Sequence, residues 1–474
     1  MPSSTRSVLP CTRRGLLARA LFVTAAGFIG TACADRPAPV APIGSLSLGK
    51  APAGPSVTSA SPAYAHRDTT LNVRISGSGF STGAVAEWAL GGVPNAAKIR
   101  TNSTQFVSSS ELVANITISA DADLALWDVT VMLTGGKKGV GTELFEVTTA
   151  VIIGGGSGIG GYVYGTSEQV GTSEPVSVAG YGDLSGAWVY DAISGTTVSL
   201  GGGQGWGIDP TGTTVFGRDG NSAAAVWNRV GNGTWTKQLL PNPQAQGNAS
   251  SMAVAPDGSL LLGGWVNLPT KRGQNPQVAP AVWRRVGGVW QSPTIYAMPG
   301  ASAAIYGISP GGVAVGRGLL PSGSYQTFVW DNPTTYTSLA GSTAYGVNPA
   351  GTVAVGEASG PVYWYKTAAG TWTTTGSALP TLGGSCSTGR ANDINAAAIV
   401  VGYSCASSGR TLATVWRLDL SGATPTVMGA PLVLGGLGPG GNNTVAQAIT
   451  SSPPYVVVGY TDSGANVTLR WSLP

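Results

Sequence analysis

An all-β protein is predicted from three features of the sequence. Glycine supplies 72 of 474 residues and proline 31, while only 10% of residues are charged; an ordinary chain has about 7% glycine. After the N-terminus no long Glu, Lys and Leu pattern marks a helix, whereas short Val-, Thr- and Ser-rich runs end in turn residues. From about residue 150 one phrase recurs to the C-terminus, at roughly 46 residues per copy, the length of a four-stranded blade. The expected architecture is a small β-sandwich followed by a six- or seven-bladed β-propeller.

Residues 1–33 read as an export signal. Arg6, Arg13, Arg14 and Arg19 precede or interrupt a mostly apolar run from Leu16 to Ala32. That run is too broken for a permanent span, which needs about 20 apolar residues. Ile29-Gly30-Thr31-Ala32-Cys33 resembles a bacterial lipoprotein cleavage box, with Gly30 where that box usually has Leu. The resemblance implies diacylglycerol on the Cys33 sulfur and Cys33 as the mature N-terminus. Thr12 to Leu17, T-R-R-G-L-L, resembles a twin-arginine signal, which implies folding before export. Residues 34–55 are proline-rich and favour extended backbone, as a tether would.

Residues 56–149 hold short β runs: Thr70 to Ile75, Ala84 to Leu90, Leu112 to Ile118, Ala125 to Leu133 and Leu144 to Thr148. Their length and spacing suggest an immunoglobulin-like sandwich without cysteines. Pro62, I-S-G-S-G-F at 75–80, Ser110-Glu111-Leu112, W-D-V-T-V at 127–131 and Leu144 to Val147 resemble the IPT/TIG domains. Membership would imply a spacer or binding module. Asp121 and Asp123 make one D-A-D pair, too few carboxylates for a calcium loop. His66, the chain's one histidine, is expected in a loop.

Residues 150–474 carry the repeat. A first strand ends in an aliphatic residue: Ile208, Val254, Ile308, Val347, Ile394, Ile449. A turn follows, then a second strand ending in an aliphatic and a glycine: Phe216-Gly217, Leu262-Gly263, Val315-Gly316, Val355-Gly356, Val401-Gly402, Val458-Gly459. A third strand ends in Trp227, Trp283, Trp330, Trp364, Trp416 or Trp471. Val163 to Gly165 and Ala187 to Tyr190 form a weaker first copy. Asp209-Pro210-Thr211-Gly212 and Ala255-Pro256-Asp257-Gly258 supply turn chemistry. Two residues before each aliphatic stand Trp206, Met252, Tyr306, Tyr345, Asn392 and Gln447, each followed by a small residue except Asn392, which precedes Asp393. A tryptophan in every copy is a packing anchor. The last copy lacks a fourth strand, and the β run 148–153 is expected to supply it, removing an exposed edge.

Cys386 and Cys405 fall in one copy. A hairpin centred between Asn395 and Ala396 sets them opposite each other, within reach of a disulfide in an exported protein. Ala391 to Asn395, Val400-Val401-Gly402 and Leu434 to Gly438 resemble the HAF-type extracellular repeats of bacteria, a family of poorly defined function.

Catalytic chemistry is sparse. The array has no histidine for a triad or a His-ligated metal, and most of its acids fall in turns; Asp393 is the exception. The run 154–158, G-G-G-S-G, lacks the Lys-Ser/Thr ending of a phosphate loop and reads as a hinge. A net charge of +4 without a basic cluster gives nucleic acid no track, and glycine breaks rule out the roughly 10-residue strands of a membrane barrel. The reading is a non-catalytic, lipid-anchored, monomeric protein of the bacterial cell envelope, without cofactor or metal. It presents a propeller face to a surface protein or polysaccharide. The contact candidates are Lys271 and Arg272, on the longest insertion, with Asn392 and Asp393. The alternative is a carbohydrate-active enzyme, a polysaccharide lyase or hydrolase, working at the propeller's channel mouth.

Overall fold

The computed structural model describes residues 54–153, 162–168, 176–182, 186–231, 233–269, 277–383, 387–406, 409–438, 443–461 and 466–473. The export signal with Cys33, the tether to residue 53, the run 154–158, Lys271, Arg272 and Cys386 lie outside them. The described residues are all-β: nine sheets, no helix, and antiparallel pairing except for Tyr64–Ala65 against Lys138–Val147.

Residues 56–147 form two sheets around one core. One orders the strands Ser56–Ser61, Thr69–Ser78, Glu111–Ile118 and Ile99–Ser108. The other orders Tyr64–Ala65, Lys138–Val147, Leu126–Met132, Val85–Leu90 and Val93–Pro94. Glu111–Ile118 alternates buried and half-buried residues along its whole length, the period-two pattern of a strand with one covered face. Trp88, Trp127 and Phe145 fill the core between the sheets, with Trp88 and Phe145 edge to face at 6.1 Å. Ile99–Ser108 escapes the sequence reading because it is polar from Arg100 to Gln105 and lacks an apolar alternation: of its ten residues only Ile99 is buried. Asp121 is ion-paired to Lys98 at 2.9 Å.

After residue 150 come seven sheets of consecutive antiparallel strands. The weak first copy makes a complete sheet of Tyr162–Thr166, Val178–Gly182, Gly186–Asp191 and Thr196–Gly201. The seventh, Thr444–Ile449, Val456–Thr461 and Val467–Ser472, takes its fourth strand from Val151–Ile152, which pairs Val151 with Arg470. Seven buried clusters lie between successive sheets. The first joins sheets one and two through Val189 and Trp227, and the last joins seven and one through Val458 and Val163. The repeated tryptophans lie in these clusters, and six of them donate their indole N–H to the sheet before. Trp227 donates to Leu200, Trp283 to Pro241, Trp330 to Ala297, Trp364 to Ala340, Trp416 to Pro380 and Trp471 to Gly435, all between 2.6 and 3.2 Å.

The glycine of the repeat has a single cause. Each first strand carries a bulge, so one residue is left unpaired: Tyr164, Trp206, Ser250, Tyr306, Tyr345, Asn392 or Gln447. The bulge pushes the carbonyl two residues earlier across the ladder. A Cβ on the facing second-strand residue would overlap that oxygen, and the residue is Gly180, Gly217, Gly264, Gly316, Gly356, Gly402 or Gly459. This corrects the third copy. Its bulge falls at Ser250, not Met252, and its glycine is Gly264, not Gly263. Val254 pairs with Leu260, and the hairpin runs two residues further before the bulge than in its siblings. The hairpin of the sixth copy is also corrected. Ile394 pairs with Val400 and Gly389 with Ser404, and the Cys405 N–H donates to Thr388. The turn sits later than the sequence suggested, and the bulge takes back one residue of that offset. Cys405 nonetheless is disulfide-bonded.

Sandwich and array meet at Glu146. Its two carboxylate oxygens accept the N–H groups of Gly436 at 2.6 Å and Gly438 at 2.7 Å. A Cβ at Gly435 would crowd Thr148 and Glu146. The phrase Leu434 to Gly438 is therefore the loop that seats the sandwich, and burial raises the Glu146 carboxyl against the pull of those two N–H groups.

Candidate functional site

The seven bulges turn their unpaired residues toward one cavity of about 580 Å³, lined by the first strand of every sheet. Bulges re-aim side chains in this way at barrel rims and active sites. Tyr164, Trp206, Tyr306 and Tyr345 give the cavity aromatic surface, Asn392 and Gln447 give it amides, and Ser250 leaves a notch. The cavity extends from this ring to the turns at Pro210, Pro310, Pro349 and Ser451.

Behind the ring a second tier packs against the same aromatics. Tyr181 stacks on Tyr164 at 5.2 Å and 3°, and Trp206 leans on Tyr164 at 4.7 Å. Arg317 lies over Tyr306 at 5.6 Å and over Tyr325 at 4.3 Å. Arg390 lies over Tyr345 at 4.5 Å and over Tyr403 at 5.4 Å, and donates to Asn392 at 2.5 Å. Burial pushes the Tyr164 hydroxyl far above its ordinary range and that of Tyr460 up to about 12. These phenols stay protonated at neutral pH, as hydrogen-bond donors and stacking surfaces.

Sequence reasoning missed this tier, although a signal was present. The residue directly after each second-strand glycine is long: Tyr181, Arg218, Trp265, Arg317, Glu357, Tyr403 and Tyr460. It faces the start of the first strand, where Tyr162 opposes Tyr181 and Arg390 opposes Tyr403.

Asn392 and Asp393, singled out from the sequence, line the cavity but are bound to the seventh sheet. Asn392 donates to Ala446 at 2.7 Å, and Asp393 accepts from Ile394 at 2.8 Å and from Ile449 at 3.1 Å. Asn395 donates to Thr450 at 3.0 Å. On the other side Glu168, from the first sheet, accepts Ser451 and Ser452 at 2.6 and 3.1 Å. Burial, opposed by the two N–H bonds, raises the Asp393 carboxyl to about 6. Other array acids serve turns and neighbouring sheets. Asp209 accepts Thr213 and Thr214, Asp191 pairs with Arg229 at 2.8 Å, and Asp331 pairs with Lys366 at 2.8 Å. Among the described residues no three side chains of His, Cys, Asp or Glu converge on a metal position.

No protein-family model matches the chain, and no curated protein matches it in sequence. Among solved structures it is similar to a hypothetical protein from Leishmania major, at 11% identity over 68% of this chain and 89% of that one, with a TM-score of 0.26. A likeness that loose defines neither fold nor function.

Proposed function

We propose that the chain is a non-catalytic, lipid-anchored envelope protein, in which an immunoglobulin-like spacer carries a seven-bladed propeller that binds a saccharide in its axial cavity. The observation that carries this reading is the cavity itself: seven first strands converge on it, and the bulges aim aromatic side chains into it. Flat rings beside amides and protonated phenols suit a sugar, with a hydrophobic face to stack and hydroxyls to bond. The cyclic order of the seven cores supports the propeller, and the Cys33 box with its proline-rich tether supports the anchor. Titration of the mature protein with soluble polysaccharides tests the binding. Tyr306→Ala and Tyr345→Ala should abolish a heat signal that the wild type gives, with the circular dichroism spectrum unchanged; silence of the wild type across a broad glycan panel would refute the reading.

The carbohydrate-active alternative has one observation in its favour. Asp393 lines the cavity with a carboxyl near 6, where a general acid works. Both its oxygens already hold backbone N–H groups, which favours a positioning role. Release of new reducing ends or unsaturated products from a bound polysaccharide would restore the alternative.

A further inference from the structure

The second tier carries charge as well as aromatic surface. Arg317, Tyr306, Tyr345, Arg390 and Tyr403 form a continuous run of contacts across sheets four, five and six, with Tyr306 and Tyr345 5.8 Å apart. All five side chains keep part of their surface exposed. Among the described residues neither Arg317 nor Arg390 has a carboxylate within ion-pair distance, although six other pairs form. On the two sheets that follow, Tyr162, Tyr164, Tyr181 and Tyr460 contact one another, and the Arg390 charge reaches Tyr164 and Tyr460.

A guanidinium removed from much of its water is stabilised by an anion or by hydrogen bonds. Here each is met by ring faces, and only Arg390 by a neutral amide. Each guanidinium also has a phenol oxygen as acceptor, Tyr306 for Arg317 and Tyr345 for Arg390, and with five N–H donors apiece both keep donors for a ligand. The structure thus has two positioned cations beside stacking surfaces, and the one acid of this tier, Glu357, acts on Tyr403 without pairing with either arginine. We infer that the saccharide is anionic, bound with its carboxylate or sulfate on Arg317 and Arg390 and its sugar ring on the neighbouring tyrosines. This rests on the saccharide-binding reading above and adds the charge of the ligand. Single-stranded nucleic acid shares the aromatic and cationic chemistry but needs a groove of positive charge along its backbone, whereas here Arg218, Arg317 and Arg390 stand on alternate sheets, separated by tyrosines and Glu357.

The test is calorimetric titration of the mature protein with polygalacturonate, dextran sulfate, neutral galactan and oligothymidylate. One of the two acidic polymers should bind at least about tenfold more tightly than galactan, the scale of one charge-assisted contact; which one it is separates carboxylate from sulfate. Its affinity should fall as salt is raised from low concentration, a readout that needs no variant. Arg317→Gln should lower it about tenfold and flatten its dependence on salt. Equal affinity for galactan and both acidic polymers, or an Arg317→Gln protein that binds acid polymer normally, would overturn the anionic ligand while leaving saccharide binding intact. Tighter binding of oligothymidylate would overturn it in favour of nucleic acid. Failure of every polymer to bind would overturn the saccharide reading as well.

Discussion

Asp393 on the first strand of the sixth sheet accepts the backbone N–H of Ile449 on the first strand of the seventh, at 3.1 Å. In neighbouring copies this position holds Gly307 or Gly346, where a Cβ would press on the adjacent strand. At the seventh sheet, backbone-to-backbone packing is replaced by side-chain hydrogen bonds: Asn392, Asp393 and Asn395 on one side and Glu168 on the other.

A pH dependence follows from Asp393. Its folded carboxyl titrates at about 6, above the ordinary value near 3.8, so the native state holds the proton more tightly than the unfolded chain. The associated stability is full below about pH 4 and is lost as pH rises through 6, by about 2 to 3 kcal/mol. Stability to urea between about pH 4 and 7 should fall more steeply with pH in the wild type than in Asp393→Asn, because the raised Glu146 carboxyl contributes to both. Parallel curves would contradict the assignment.

The bulge predicts which glycines are irreplaceable. Gly402→Ala places a methyl group on the Arg390 carbonyl and should cost about 3 kcal/mol or more, or prevent folding. Gly135→Ala meets nothing within 4 Å and should stay within about 0.5 kcal/mol of wild type. Thermal unfolding of the pair checks the contrast.

Trp330→Phe removes the indole N–H that reaches Ala297 at 2.8 Å across two sheets and leaves a gap in a buried cluster. A loss of about 2 kcal/mol is expected, read from the urea midpoint. Hydrogen exchange should also speed up at the Ala297 segment, which a purely local effect within the fourth sheet would not cause.

Glu146→Ala should free the loop from Leu434 to Gly438, because its carboxylate holds two of the loop's N–H groups. Limited proteolysis should find new cleavage there, with sandwich and array each still folded by circular dichroism. A protease pattern identical to wild type would mean that the joint is held by other contacts.

Strand order and packing anchors were legible in the sequence because they repeat with a fixed chemistry. Trp283 and its siblings recur because each fills the same gap and donates the same bond. The turn at Asp209 to Gly212 recurs because Asp209 caps its own backbone. The bulge was not legible as a bulge: its position showed as a large residue before a small one, at Trp206, Tyr306, Tyr345 and Gln447, but composition does not say that the residue is unpaired. In the third copy Gly263-Gly264 offered two candidates for the facing glycine and the bulged residue is the small Ser250, so the frame slipped to Met252. The hairpin before Cys405 was misplaced for a different reason, a turn that sits later than its residues suggest, and the bulge reduces that error by one residue. Arg317 and Arg390 were invisible for another reason. They stand at different positions, one on a second strand and one on a first, and only the fold brings both against tyrosines that themselves lie on neighbouring strands.

The pairing of Val151 with Arg470 has a consequence for the order in which the molecule is made. A ribosome releases the first strand of that pair long before the second. Six of the seven inter-sheet cores join neighbours in the chain and are able to assemble as synthesis proceeds. The core of Val163 and Val458, with the ladder beside it, waits for the last strand to emerge and return to the beginning. Closing so long a loop is slow in folding, so until then the nascent protein shows the unpaired strand Val151–Ile152 and the apolar face around Val163 to any chaperone that meets it.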